Sequence, residues 1–169
     1  INAGTSLDTT DFYIVVPNNH WEKSLELIID LVNNPLFNPI DIEREKKVII
    51  QEIHLDEDDP EEKLATTLYH EVFSGTPYER SILGSKDTIA HLKRENFIYH
   101  QEYFYHPSNL TLVVCGDLPE NQLFEKIDQF YKNGGKPLQN LFSSFPPLPK
   151  VQRKRIEINM DIHHHYGAI

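Results

Sequence analysis

Apolar residues recur at three- and four-residue intervals in several stretches, and most of these stretches end near a proline or a glycine. Trp21, Leu25, Ile28, Ile29 and Val32 share one face of a predicted helix; Asn18 or Asn19 can cap its start and Pro35 stops it. After Pro39 a second helix is predicted over residues 42–56. Ile42, Ile49 and Ile53 form the centre of its apolar stripe, with Val48 and Leu55 further round and Arg44, Lys47, Gln51 and His54 on the opposite, solvated side. Asp59 as cap and Pro60 in the first turn restart a helix through Leu64, Leu68, Val72 and Phe73. A loop marked by Gly75, Pro77 and Gly84 follows. Residues 89–104 are helical with a break near Lys93, placing Leu92, Phe97 and Ile98 inward and Tyr103 at the margin. Pro119 opens the last helix, through Leu123, Ile127 and Phe130.

Strand signals lie between these helices. Residues 9–16 are rich in Thr, Phe, Tyr, Ile and Val and end at Pro17, which predicts a strand. Residues 1–6 read as a second extended segment, with Gly4 at a bend or a close backbone contact. Residues 109–114 form a continuous apolar run closed by Cys115-Gly116-Asp117, so a strand is expected with residues 112–114 fully buried. Residues 133–150 are rich in Gly, Pro and Ser and read as a surface linker, and residues 151–159 alternate like a strand. The organisation expected is a domain over residues 1–132, a linker over 133–150, and the truncated first strand of a following repeat over 151–169.

Composition narrows the function classes. With 39% hydrophobic and 25% charged residues the chain is of ordinary globular type. A net charge of −10 argues against a nucleic-acid surface, and no basic run suggests an anionic membrane contact. No apolar run approaches the ~20 residues that span a bilayer. The single cysteine, Cys115, excludes an internal disulfide. A soluble protein of the cytoplasm or an organelle is expected ahead of a secreted one, the compartment itself staying open.

The candidate chemistry sits on the second helix. Glu45 and Glu52 are seven residues apart, and at about 100° per residue seven steps fall only about 20° short of two turns, so both lie on one face. That face is the gap between the isoleucine group and Val48 with Leu55. Carboxylates within an apolar stripe are costly to bury unless a cation, a metal or hydrogen-bond donors compensate. Spacing alone favours the plainer reading, a charged helix with a ragged stripe. Other features carry less. The acidic run at residues 56–59 suits a helix N-terminus and lacks the spacing of a calcium loop. Asn109-Leu110-Thr111 fits a glycosylation acceptor, but the apolar run after it argues for core. Asn34-Pro35-Leu36-Phe37 reads as a helix stop followed by a buried Phe. Of the three consecutive histidines, only His163 and His165 share a strand face, and they stay unassigned.

Four segments, NAGTSLDTTDFYIVVP, NPLFNPIDIEREKKVIIQEI, PYERSILGS and YHPSNLTLVVCGD, together resemble the insulinase (pitrilysin) family of zinc peptidases. That family includes the mitochondrial processing peptidases and their bacterial relatives. The segments occur in the family's order from Ile1 to about Tyr131; each alone is weak and the ordered set is strong.

The resemblance implies an α+β fold, a mostly antiparallel sheet packed by helices, repeated in a homologous second half or partner subunit. It implies Zn2+ held by two histidines of an H-x-x-E-H motif and a distal glutamate, matched here by Glu52. Glu45 matches a supporting carboxylate that accepts a hydrogen bond from a ligand imidazole. The motif's own glutamate would act as general base on a zinc-bound water. None of the nine histidines here belongs to such a motif, so no catalytic residue is expected within this chain, and the pair would lie before Ile1. The chain alone is expected to be inactive. By position, Asn2 and Ala3 fall on the edge strand to which an extended peptide or unfolded protein substrate adds. Two functions follow: a zinc metalloendopeptidase of which this is a part, or a catalytically silent homologue or partner subunit that supplies chamber wall.

Overall fold

The computed structural model describes residues 1–132 and 153–168. Its elements run β1 (Asn2–Thr5), β2 (Thr10–Tyr13), α1 (Trp21–Asn33), α2 (Pro39–Asp58), α3 (Pro60–Val72), α4 (Lys86–His91), α5 (Arg94–Phe104) and α6 (Glu120–Tyr131), with short 3-10 turns between some of them. Helices plus an antiparallel sheet make the α+β class expected from the sequence. The chain separates into two compact units, one holding residues 1–38 and the stretch from Lys93 through α6, the other holding residues 39–92 and the C-terminal stretch.

In the first unit β1 pairs antiparallel with β2, setting Asn2 opposite Tyr13, Ala3 opposite Phe12, Gly4 opposite Asp11 and Thr5 opposite Thr10. The turn closes by Ser6 N–H donating to Thr9 O at 2.8 Å. Gly4 sits where a Cβ would come within 3.1 Å of Asp11 Oδ1, the close contact its place in the strand implied. In α1, Leu25 and Ile29 fall one turn apart and are 6% and 5% exposed, the buried centre of this unit. Lys126 of α6 binds α1 through Glu22 Oε2 at 2.9 Å and Glu26 Oε1 at 2.8 Å. One face of α5 holds the end of α1. Gln101 donates to the Val32 and Asn33 carbonyls, the Phe97 ring lies tilted 5.9 Å from that of Phe37, and Arg94 Nε donates to Phe37 O at 2.9 Å. These bonds hold Phe37 in the left-handed region at φ 46°, where a bulky residue is strained.

The second unit is built on α2, packed against α3 and α4. Pro39 opens α2, where its missing N–H costs nothing. Ile53, 7% exposed, is its buried point, and Lys46, two turns earlier on the same face, is largely covered and reaches Glu43 at 2.7 Å. Asp59 caps α3, its Oδ1 accepting from Glu61 N–H at 2.8 Å and Glu62 N–H at 3.2 Å, as its place before Pro60 predicted. Lys86 of α4 binds Glu57 and His54 of α2.

Several expectations are corrected. Neither Asn18 nor Asn19 caps α1; they form a 3-10 turn, and His20 stands at the cap without a side-chain bond. The strand read over residues 9–16 is cut to Thr10–Tyr13, and Val15 is 87% exposed. The buried strand over residues 109–114 does not form among the described residues: Leu112, Val113 and Val114 are 42%, 75% and 40% exposed. A central strand requires neighbours to take its backbone bonds, and the only described ladder is β1 with β2. Residues 153–159 likewise carry no strand. The linker expected over residues 133–150 lies outside the described residues, as do residues 151 and 152.

Candidate functional site

The sequence of α2 places Glu45 and Glu52 on one helix over the range Pro39–Asp58. The helix turns its Ile53 and Lys46 side inward and leaves the carboxylate side exposed. At about 100° per residue, Glu45 and Glu52 form one strip, with Val48 and Leu55 about 60° beyond them. Those two apolar residues are 53% and 70% exposed, so the strip combines two carboxylates with uncovered apolar surface. Glu45 Oε1 accepts from Arg44 Nε at 3.2 Å, and Arg44 also pairs with Asp41 at the same distance. The Glu52 side chain is exposed and makes no hydrogen bond or ion pair with another described residue. Water therefore solvates both carboxylates, and the burial cost that their place in the stripe suggested does not arise among the described residues.

A metal needs more than this strip. Among the described residues no three His, Cys, Asp or Glu side chains come together to hold a cation. Glu52 can supply one hard oxygen, and a catalytic zinc takes three protein ligands and a water. The described residues thus fit one corner of such a site, and His163, His164 and His165 are exposed and remain unassigned.

Asn2 and Ala3 lie on β1, in the other unit. Ser6 and Thr9 are a hydrogen-bonded pair, so alternation along an antiparallel ladder makes Gly4–Asp11 and Asn2–Tyr13 bonded pairs and Thr5–Thr10 and Ala3–Phe12 non-bonded ones. The N–H and C=O of Ala3 therefore point away from β2, to the outer edge. There Ala3 N–H donates to Asn2 Oδ1 at 2.9 Å, while Asn2 Nδ2 donates to Tyr13 OH at 3.3 Å. Sequence reasoning named Asn2 and Ala3 but missed both bonds and the part of Tyr13. The available signal was an Asn at a strand start, a side chain that bonds local backbone.

No described helix is long and apolar enough to cross a membrane.

Comparison with known proteins adds the following. Residues 1–86 match the family described as Insulinase (Peptidase family M16), and residues 91–168 match the Peptidase M16 inactive domain. An uncharacterized zinc protease of Bacillus subtilis, YmfH, is 29% identical over 156 residues, covering 92% of this chain and 34% of the relative. The mitochondrial-processing peptidase subunit beta of Neurospora crassa is 28% identical, over 78% of this chain and 28% of that protein. Subunit 1 of the cytochrome b-c1 complex of Bos taurus is 26% identical, over 74% and 26%. The crystal structure of an M16-like peptidase from Alicyclobacillus acidocaldarius shares the fold, with a TM-score of 0.65 at 23% identity over 76% of this chain and 31% of that one. The chain spans about a third of the length of the zinc protease relatives.

Proposed function

Because this chain belongs to the insulinase family, peptidase family M16, we propose that it forms part of a zinc metalloendopeptidase acting on peptides or presequence-like segments. The observation that carries the reading is the exposed strip of α2, where Glu45 and Glu52 share one face inside the matched stretch. In this reading Glu52 supplies one carboxylate oxygen to the metal, and two histidines from elsewhere in the polypeptide supply the nitrogens. Glu45 accepts a hydrogen bond from one of those imidazoles, which fixes its tautomer and raises its basicity. When bound, zinc polarises the scissile carbonyl and lowers the pKa of its water. The outward N–H and C=O of Ala3 bind the peptide by strand addition, which gives affinity with little sequence discrimination. A homologous second half or partner subunit would complete the chamber.

The second reading is a silent partner subunit, favoured by the 26% identity to subunit 1 of the cytochrome b-c1 complex, a relative named as a subunit and not as a protease. Whether the encoded polypeptide carries the zinc-binding motif separates the two. An H-x-x-E-H motif there, with zinc near one equivalent per chain and peptide hydrolysis, is expected for the peptidase. Its absence would leave the silent partner.

A further inference from the structure

The outer edge of β1 carries a device that the strand-addition reading does not use. Ala3 N–H is a donor that an added strand would need, and it is already taken. Asn2 Oδ1 accepts it at 2.9 Å, and the same carboxamide is anchored at its other end, where Nδ2 meets Tyr13 OH at 3.3 Å. Tyr13 faces Asn2 directly across the ladder, so its hydroxyl is held on the strand to which β1 is paired. An uncovered edge donor is a template for pairing with any extended chain, and proteins protect such edges. Here the protection is a side chain of the edge strand itself, and among the described residues it leaves the Ala3 carbonyl open.

We propose that the Asn2 carboxamide is an edge guard: it closes the Ala3 N–H in the resting protein and must swing aside for a peptide backbone to pair there. The incoming carbonyl replaces Asn2 Oδ1 bond for bond, so the exchange costs little for a peptide long enough to make further ladder bonds. A short contact that offers one carbonyl gains nothing. The guard thus selects for extended partners, and Tyr13 is its positioning residue. This inference rests on peptide addition at β1.

The test uses the full encoded polypeptide and an unstructured, fluorescein-labelled peptide with blocked ends, followed by anisotropy, beside amide exchange at Ala3. Asn2→Ala removes the guard. The peptide should bind about 2–10-fold tighter, the size of one net hydrogen bond, with Ala3 exchange faster in the absence of peptide. Tyr13→Phe should move both readouts the same way by less. Asn2→Asp keeps an acceptor oxygen and should retain Ala3 protection, which separates guarding from damage to the strand. Weaker or equal peptide binding in Asn2→Ala overturns the guard. If no peptide binds even the parent, strand addition at β1 fails and the guard against peptides fails with it. Ala3 exchange distinguishes the cases, because faster exchange in Asn2→Ala would show that the cap exists although the substrate reading is wrong.

Discussion

Glu45 and Glu52 differ in what their side chains touch, and that difference sets two outcomes. Glu45 is engaged by Arg44, whereas Glu52 has no described partner. In the full polypeptide Glu52→Gln keeps the size but removes the charge, and should lose zinc and hydrolysis together. Glu45→Gln should cost about 10–100-fold in affinity or activity while some zinc remains bound. Atomic absorption beside peptide hydrolysis decides this; equal zinc in Glu52→Gln and the parent would remove Glu52 from the ligand set. A second residue-scale outcome concerns His100, whose ring lies 4.6 Å from that of Phe104 and 6.0 Å from that of Tyr105. Burial holds its pKa below the ordinary 6.5. Above 6.5 the folded and unfolded chains both carry neutral His100. As pH falls through that value the unfolded chain takes the proton first, so stability declines until the lower folded pKa is passed. His100→Asn should flatten this part of the pH dependence, read as urea midpoints on either side of 6.5; an unchanged slope would assign it to other groups.

The helices show where local chemistry suffices. Asp59 and Pro60 start α3 because an acidic oxygen takes the first N–H groups and a proline has none to leave unsatisfied. Asp59→Ala should cost about 1 kcal/mol, measured as a shift in the urea midpoint with m unchanged. A null effect would mean that packing of α3 on α2 holds the first turn without the cap. Where long-range contacts intervene, local signals mislead. The end of α1 is held by Arg94, Phe97 and Gln101, spaced to share one face of α5, and they pin Phe37 in a conformation that its own residue type disfavours.

Among the described residues the core is small and apolar surface is extensive. Among the described residues only Leu25, Ile29 and Ile53 are buried hydrophobics, while Val113 is 75% exposed in an uncharged, apolar stretch. Such a stretch is an aggregation site unless covered. In the chain as it stands, Val113→Lys should slow self-association, followed by light scattering at fixed concentration. Scattering equal to the parent's would show that another surface is responsible. The sequence by itself determined the helices, their breaks at Pro35 and Lys93, the Asp59 cap and the shared face of Glu45 and Glu52, because periodicity and capping act within a few residues. It also carried the family, through segments held in order. Only tertiary structure decided that residues 112–114 are exposed, that the strip of α2 holding Glu45, Val48, Glu52 and Leu55 is left uncovered, and that Tyr13 across the ladder anchors the Asn2 carboxamide. Strand pairing and burial depend on partners far along the chain, and no local pattern states whether those partners are in place.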